Sequence, residues 1–179
     1  MELKEETGFK VTRDELLKVI TPKSKAIILN FPGNPTGGIM TEEDYRNIMD
    51  ILIDNRLFVI TDEIYAELTY SGKHCSIAQF TEIKERTIVI NGFSKAYAMT
   101  GWRLGYAVGP EEIIQQMTKL HQYAIMCAPT TSQYAAVEAL KNGELDEAVL
   151  DLACERILNI VYRYAENAKP DTPWDMEAQ

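Results

Sequence analysis

The chain has 179 residues, of which 46% are apolar and 25% charged, and it carries a formal net charge of −9 at pH 7. That length and balance suit one domain with a real core and exclude disorder of the whole chain. The acidic surface argues against a nucleic-acid partner, and no apolar run approaches the ~20 residues needed to span a bilayer.

The three cysteines, Cys75, Cys127 and Cys154, are too widely spaced for a CxxC motif and odd in number. They read as free thiols in a reducing compartment, with no metal site. The N-terminal MELKEETGFK has no apolar targeting segment, so a cytoplasmic location is expected.

In chain order, Thr12 and Glu15 have the spacing of a capping box, which predicts a short helix with Leu16, Leu17 and Ile20 on one side. Thr21-Pro22 ends it. AIILNF, residues 26–31, is a short continuous apolar run and predicts a buried strand. PGNPTGG, residues 32–38, is a loop.

Thr41 opens a second helix with acids in its first turn and with Tyr45, Ile48, Met49, Leu52 and Ile53 at helical spacing. LFVITDE (57–63) and TIVINGFSK (87–95) predict two more buried strands that end in polar clusters. RLGYAVG (103–109) predicts a fourth. The gap before it is too short for a crossover helix, so it should run antiparallel to the third.

From Pro110 the pattern is helical. Ile113, Ile114, Met117 and Leu120 form a stripe, Pro129 breaks it, and a helix from Thr130 closes at Asn142-Gly143. A last helix is expected over 144–166, followed by a loose polar tail. The architecture predicted is α/β: three layers, with a mostly parallel sheet, one antiparallel strand, and helices after it.

Three strands end in chemistry-bearing residues: Asn34-Pro35-Thr36-Gly37, Asp62-Glu63-Ile64-Tyr65 and Ser94-Lys95. In open parallel sheets ligands bind beyond the carboxyl ends of the strands, so the three clusters should share one edge. A lysine at the end of a buried strand is a candidate imine-forming amine; the plain alternative is a surface lysine on a turn. Asp62 needs a cationic partner, which a protonated ring nitrogen or a nearby Arg or Lys would supply. Arg103 has the fork that suits phosphate oxygens, or a salt bridge to one of the many acids. Ser94 could donate to the same phosphate or cap a turn.

The stretch Ser94-Lys95-Ala96-Tyr97-Ala98-Met99-Thr100-Gly101-Trp102-Arg103 resembles the lysine signature of class I/II aminotransferases, the fold-type-I pyridoxal-phosphate (PLP) enzymes. The NPTG loop and the Asp62-to-Tyr65 turn resemble that family's motifs as well, in family order. The resemblance covers roughly residues 11–150.

It implies that Lys95 carries PLP through an imine, that Asp62 pairs with the pyridine nitrogen, and that Tyr65 and Asn34 bond the ring's phenolic oxygen. Ser94 and Arg103 would hold the phosphate, and Asn34 would also meet the substrate. The implied activity is transamination between an amino acid and a 2-oxo acid, in a homodimer. A carbon–sulfur lyase of the same fold is the alternative, and so is a non-enzymatic truncated product.

Glu63 reads as structural, Gly101 as backbone room beside the ligand, Trp102 as packing, and His74 and His121 as solvated or satisfied histidines. The turn at residues 127–132 resembles the family region that approaches the partner subunit's cofactor; an ordinary helix break explains it equally well.

The resemblance also sets an expectation of incompleteness. Residues 1–143 are expected to be part of a PLP-binding large domain and residues 144–179 a helix and tail. The family's phosphate-gripping loop, its stacking aromatic and its small-domain arginine have no counterpart in the chain. A half-sheet of this kind should expose an edge strand and apolar surface, and should oligomerise or be marginal.

Overall fold

The computed structural model describes residues 1–142. It has four strands, β1 (Ala26–Asn30), β2 (Phe58–Asp62), β3 (Thr87–Gly92) and β4 (Gly105–Val108), and six helices. These are α1 (Arg13–Val19), α2 (Glu42–Asp54), α3 (Thr81–Lys84), α4 (Phe93–Ala96), α5 (Glu111–Ala124) and α6 (Thr130–Asn142). The strands lie in the order β1-β2-β3-β4. β1 is parallel to β2 and β2 to β3, whereas β4 is antiparallel to β3, as the short connection requires.

One compact unit spans Met1–Val137 and a second begins at Glu138. Of the second, only the end of α6 is described, with a Lys141–Glu138 ion pair of 2.9 Å. The helix and tail expected over 144–179 lie outside the described residues.

The core lies between one face of the sheet and the helices α1 and α2. Tyr45, Ile48, Met49, Ile51 and Leu52 of α2 are buried with Leu16, Leu29, Leu57 and Val59. Each such aliphatic side chain contributes about 1.5–3 kcal/mol by leaving water. The helical stripe of α2 is thus as expected, with Ile51 added and Ile53 only partly covered. α2 also holds the complete capping box: Thr41 accepts from Asp44 N, and Asp44 accepts from Thr41 N at 2.8 Å. At α1 only half the box forms, because the Glu15 side chain pairs with Lys18 and Lys4 instead.

Several expectations needed correction. Leu17 is 52% exposed, since only Leu16 and Ile20 of the α1 stripe face the core. β1 is not buried throughout. It is the last strand on its side of the sheet among the described residues, and Ile28 is 74% exposed while Leu29 is 1% exposed. A strand covered on one face alternates in this way. Phe58 and Ile90 are exposed as well, so among the described residues the second face of the sheet is largely open, in line with the exposed edge strand and apolar surface expected of a half-sheet. The stripe on α5 is also uncovered: no residue of that helix is buried. The third strand ends at Gly92, and Phe93 to Ala96 turn into α4.

Candidate active site

Asn30 pairs with Asp62, and Asp62 with Ile90, so β1, β2 and β3 end at one level. Their carboxyl ends carry the three sequence clusters.

After β1 the chain folds back in a loop closed by Gly33 N to Gly38 O (2.8 Å) and Gly37 N to Gly33 O (2.7 Å). Gly37 sits at φ 69°, a conformation that favours glycine. The loop presents Asn34, whose Nδ2 donates to the Tyr65 hydroxyl at 2.9 Å.

Asp62 is the last residue of β2. Its Oδ1 accepts from Ile64 N at 3.1 Å, a local turn that leads into the 3-10 turn Ala66–Leu68 and positions Tyr65 at its start. Lys95 lies in α4, which packs against that 3-10 turn. The Lys95 Nζ stands 5.5 Å from the centroid of the Tyr65 ring, within cation–π range. Phe93, buried beneath α4 against Tyr97 and Tyr106, anchors the helix.

Asn34, Tyr65 and Lys95 therefore form a continuous set of contacts, with Asp62 at the strand end beside them. Arg103 is not drawn into that set. It is exposed, it takes a left-handed φ of 53° instead of starting the strand, and its Nη1 donates to Thr100 O at 3.0 Å. Thr100 in turn donates to the Ser94 carbonyl at 3.0 Å, which ties the Arg103 loop to α4. Among the described residues Asp62, Lys95 and Arg103 form no ion pair within 4.0 Å, and the Ser94 hydroxyl makes no hydrogen bond.

Gly101 has no close neighbour, since an added Cβ would meet nothing within 4 Å, and Trp102 is exposed. The 127–132 turn is tied down by Ser132, whose buried hydroxyl donates to Trp102 O at 2.7 Å.

Glu63 is structural, as expected: it is 4% exposed and carries its own buried cluster, in which His74 is a satisfied partner at 2.7 Å. The sequence did not indicate that the two would meet. A second feature without a sequence signal is the glycine pair Gly92 and Gly105, opposed across β3 and β4. Burial, with Glu42 adding to it, pushes the Cys75 thiol up, which disfavours that residue as a nucleophile. Burial also raises the Tyr45 phenol, reinforced by Glu63 and Cys75. Among the described residues no group of three or more His, Cys, Asp or Glu could hold a metal ion, and no helix is long and apolar enough to cross a membrane.

A mostly parallel sheet with an amine, a carboxylate and a phenol–amide pair at its carboxyl edge defines an α/β protein with one ligand-directed edge. Residues 1–160 match the model of the family described as aminotransferase class I and II. The chain is 46% identical over 153 residues to the putative aminotransferase YugH of Bacillus subtilis, covering 86% of this chain and 40% of that protein. It is 42% identical over 160 residues to an aspartate aminotransferase of Geobacillus stearothermophilus, covering 88% and 41%. Its fold superposes on an aromatic aminotransferase from Pyrococcus horikoshii with a TM-score of 0.78 at 41% identity, over 92% of this chain and 45% of that one.

The chain belongs to the class I and II aminotransferase family, and its fold corresponds to part of the large domain of fold type I. It spans about 40% of the length of the relatives it matches.

Proposed function

We propose that this chain carries the lysine-bearing part of a PLP-dependent transamination site, which exchanges an amino group between an amino acid and a 2-oxo acid. The observation that carries the reading is the Lys95 amine, 5.5 Å from the Tyr65 ring, whose hydroxyl is held by Asn34 at 2.9 Å beyond the ends of three strands.

The donor set fits the cofactor. Asp62 is a half-buried carboxylate without an ion pair among the described residues, as a pyridine-nitrogen partner would be. Lys95 offers an amine to an aldehyde. The Ser94 hydroxyl and the Arg103 guanidinium, free of acids among the described residues, suit a phosphate. Arg103 would have to leave the Thr100 carbonyl to reach it.

Bound there, pyridoxal phosphate would supply the electron sink that makes an amino acid's Cα–H acidic. Asp62 would hold the pyridine nitrogen by charge pairing. Tyr65 and Asn34 would hold the cofactor's phenolic oxygen, and Asn34 would also contact the substrate. The Lys95 amine takes the Cα proton as general base and returns it as general acid. The same reading makes residues 1–143 part of a PLP-binding domain, the working form a homodimer and the location cytoplasmic.

The test is to incubate the chain with PLP, reduce with borohydride and map the peptides. The expected result is a cofactor mass on the peptide bearing Lys95, lost in Lys95→Ala. Label spread over other lysines, or unaffected by that substitution, would overturn the assignment.

A further inference from the structure

We propose that Glu63 is a positioning residue for the site: its buried carboxylate locks the turn that presents Asp62 and Tyr65. This rests on the reading of those two residues as cofactor contacts.

Glu63 directly follows Asp62, the last residue of β2. Its N–H still pairs with Ile90 O of β3 and its side chain meets that of Thr61 two residues back, so the alternation continues and its side chain leaves on the face opposite to that of Asp62. On the inner face the Glu63 carboxylate accepts from Ser76 Oγ (2.8 Å) and Thr61 Oγ1 (3.2 Å) at Oε1, and meets His74 Nε2 (2.7 Å) at Oε2. As a carboxylate Glu63 only accepts, so His74 donates through Nε2. Both oxygens are thus occupied by three donors, two of them from the loop at residues 74–76, which is drawn back under the end of β2.

The backbone is pinned at the same place. Glu63 N donates to Ile90 O of β3 at 2.8 Å, and Glu63 O accepts from Ala66 N at 2.9 Å. With the side chain fixed below the sheet and the peptide fixed within it, Asp62 has one way to face outward, and the turn carrying Tyr65 starts from a fixed point. A buried carboxylate is costly unless every lone pair is answered. Losing it would leave His74 and Ser76 without their acceptor and release the loop that braces the turn.

Three amides report on that turn: Ile64 N bonded to Asp62 Oδ1, Ala66 N to Glu63 O, and Leu68 N to Tyr65 O. The experiment is amide hydrogen exchange on the full chain without cofactor, together with PLP titration by absorbance. In Glu63→Ala, exchange at residues 64–68 should quicken about tenfold, the factor equivalent to ~1.4 kcal/mol, with α2 unchanged. The apparent PLP affinity should fall by a similar factor. Glu63→Gln keeps the acceptor for Ser76 and should restore most of both.

Exchange at 64–68 that does not change, or that rises in proportion with α2, overturns the proposal, because the second outcome is global destabilisation alone. Should Glu63→Ala fail to fold, His74→Ala removes one donor from the loop and carries the same two readouts. A wild-type chain that captures no PLP would count against the cofactor reading, while the exchange pattern would still decide the role of Glu63 in the turn.

Discussion

Gly92 faces Gly105 where β3 and β4 pair. A methyl group on Gly92 would lie 3.0 Å from Gly105 Cα, 3.0 Å from the Leu104 carbonyl oxygen and 3.3 Å from Ile64 Cδ1. Carbon contacts are comfortable at about 3.5–4.0 Å, so two backbone atoms would each have to retreat by roughly half an ångström. Backbone in paired strands cannot swing aside as a side-chain tip can.

The φ of −176° is extended and open to any residue, so the close approach alone sets the cost. Overpacking of this kind costs about 1–3 kcal/mol, and the stiffer unfolded chain offsets about 0.4–1 kcal/mol. Gly92→Ala should therefore lose up to about 2.6 kcal/mol. Gly101→Ala is the control: its Cβ meets nothing within 4 Å, so stability should hold or rise by up to about 1 kcal/mol. Urea unfolding followed by tryptophan fluorescence measures both. Equal effects, or a stabilised Gly92→Ala, would refute the close-approach argument. Because α4 begins at the next residue, Gly92→Ala should also lower the yield of cofactor captured on Lys95.

Two further outcomes are expected. Leu29→Ala should cost about 2–5 kcal/mol by leaving a cavity, whereas Ile28→Ala, one residue away but largely solvent-exposed, should stay within about 0.5 kcal/mol of the parent in the same urea assay. Burial on its own would raise the Asp44 carboxyl, but the hydrogen bonds from Lys10 and Thr41 hold it below the usual carboxylate range. A depressed folded-state value contributes stability that is present above the unfolded range, near pH 4, and lost as pH falls through the folded one. Melting temperatures should therefore drop with acid below about pH 4, and less steeply in Asp44→Asn.

The carboxyl-edge chemistry was legible in one dimension because each piece is local. The apolar runs, the NPTG loop, the acids after β2 and the lysine after β3 each carry their own signal, and a parallel sheet gathers strand ends on one side. Antiparallel β4 followed from connection length alone. In sequence the four-residue α4 looks like the end of a strand, since the apolar and aromatic residues within 87–93 suit either state until Phe93 finds its partners.

Tertiary structure alone decided what depends on a distant neighbour. Ile28 and Leu29 are equally apolar, and only the covering helices make one core and the other surface. Glu63 and His74 are ordinary polar letters until a loop returns eleven residues later to join them under the sheet. Arg103 bears the right charge, but a left-handed backbone turns its side chain to Thr100. Periodicity and turn chemistry are written residue by residue, whereas burial and the aim of a side chain belong to whatever packs against it.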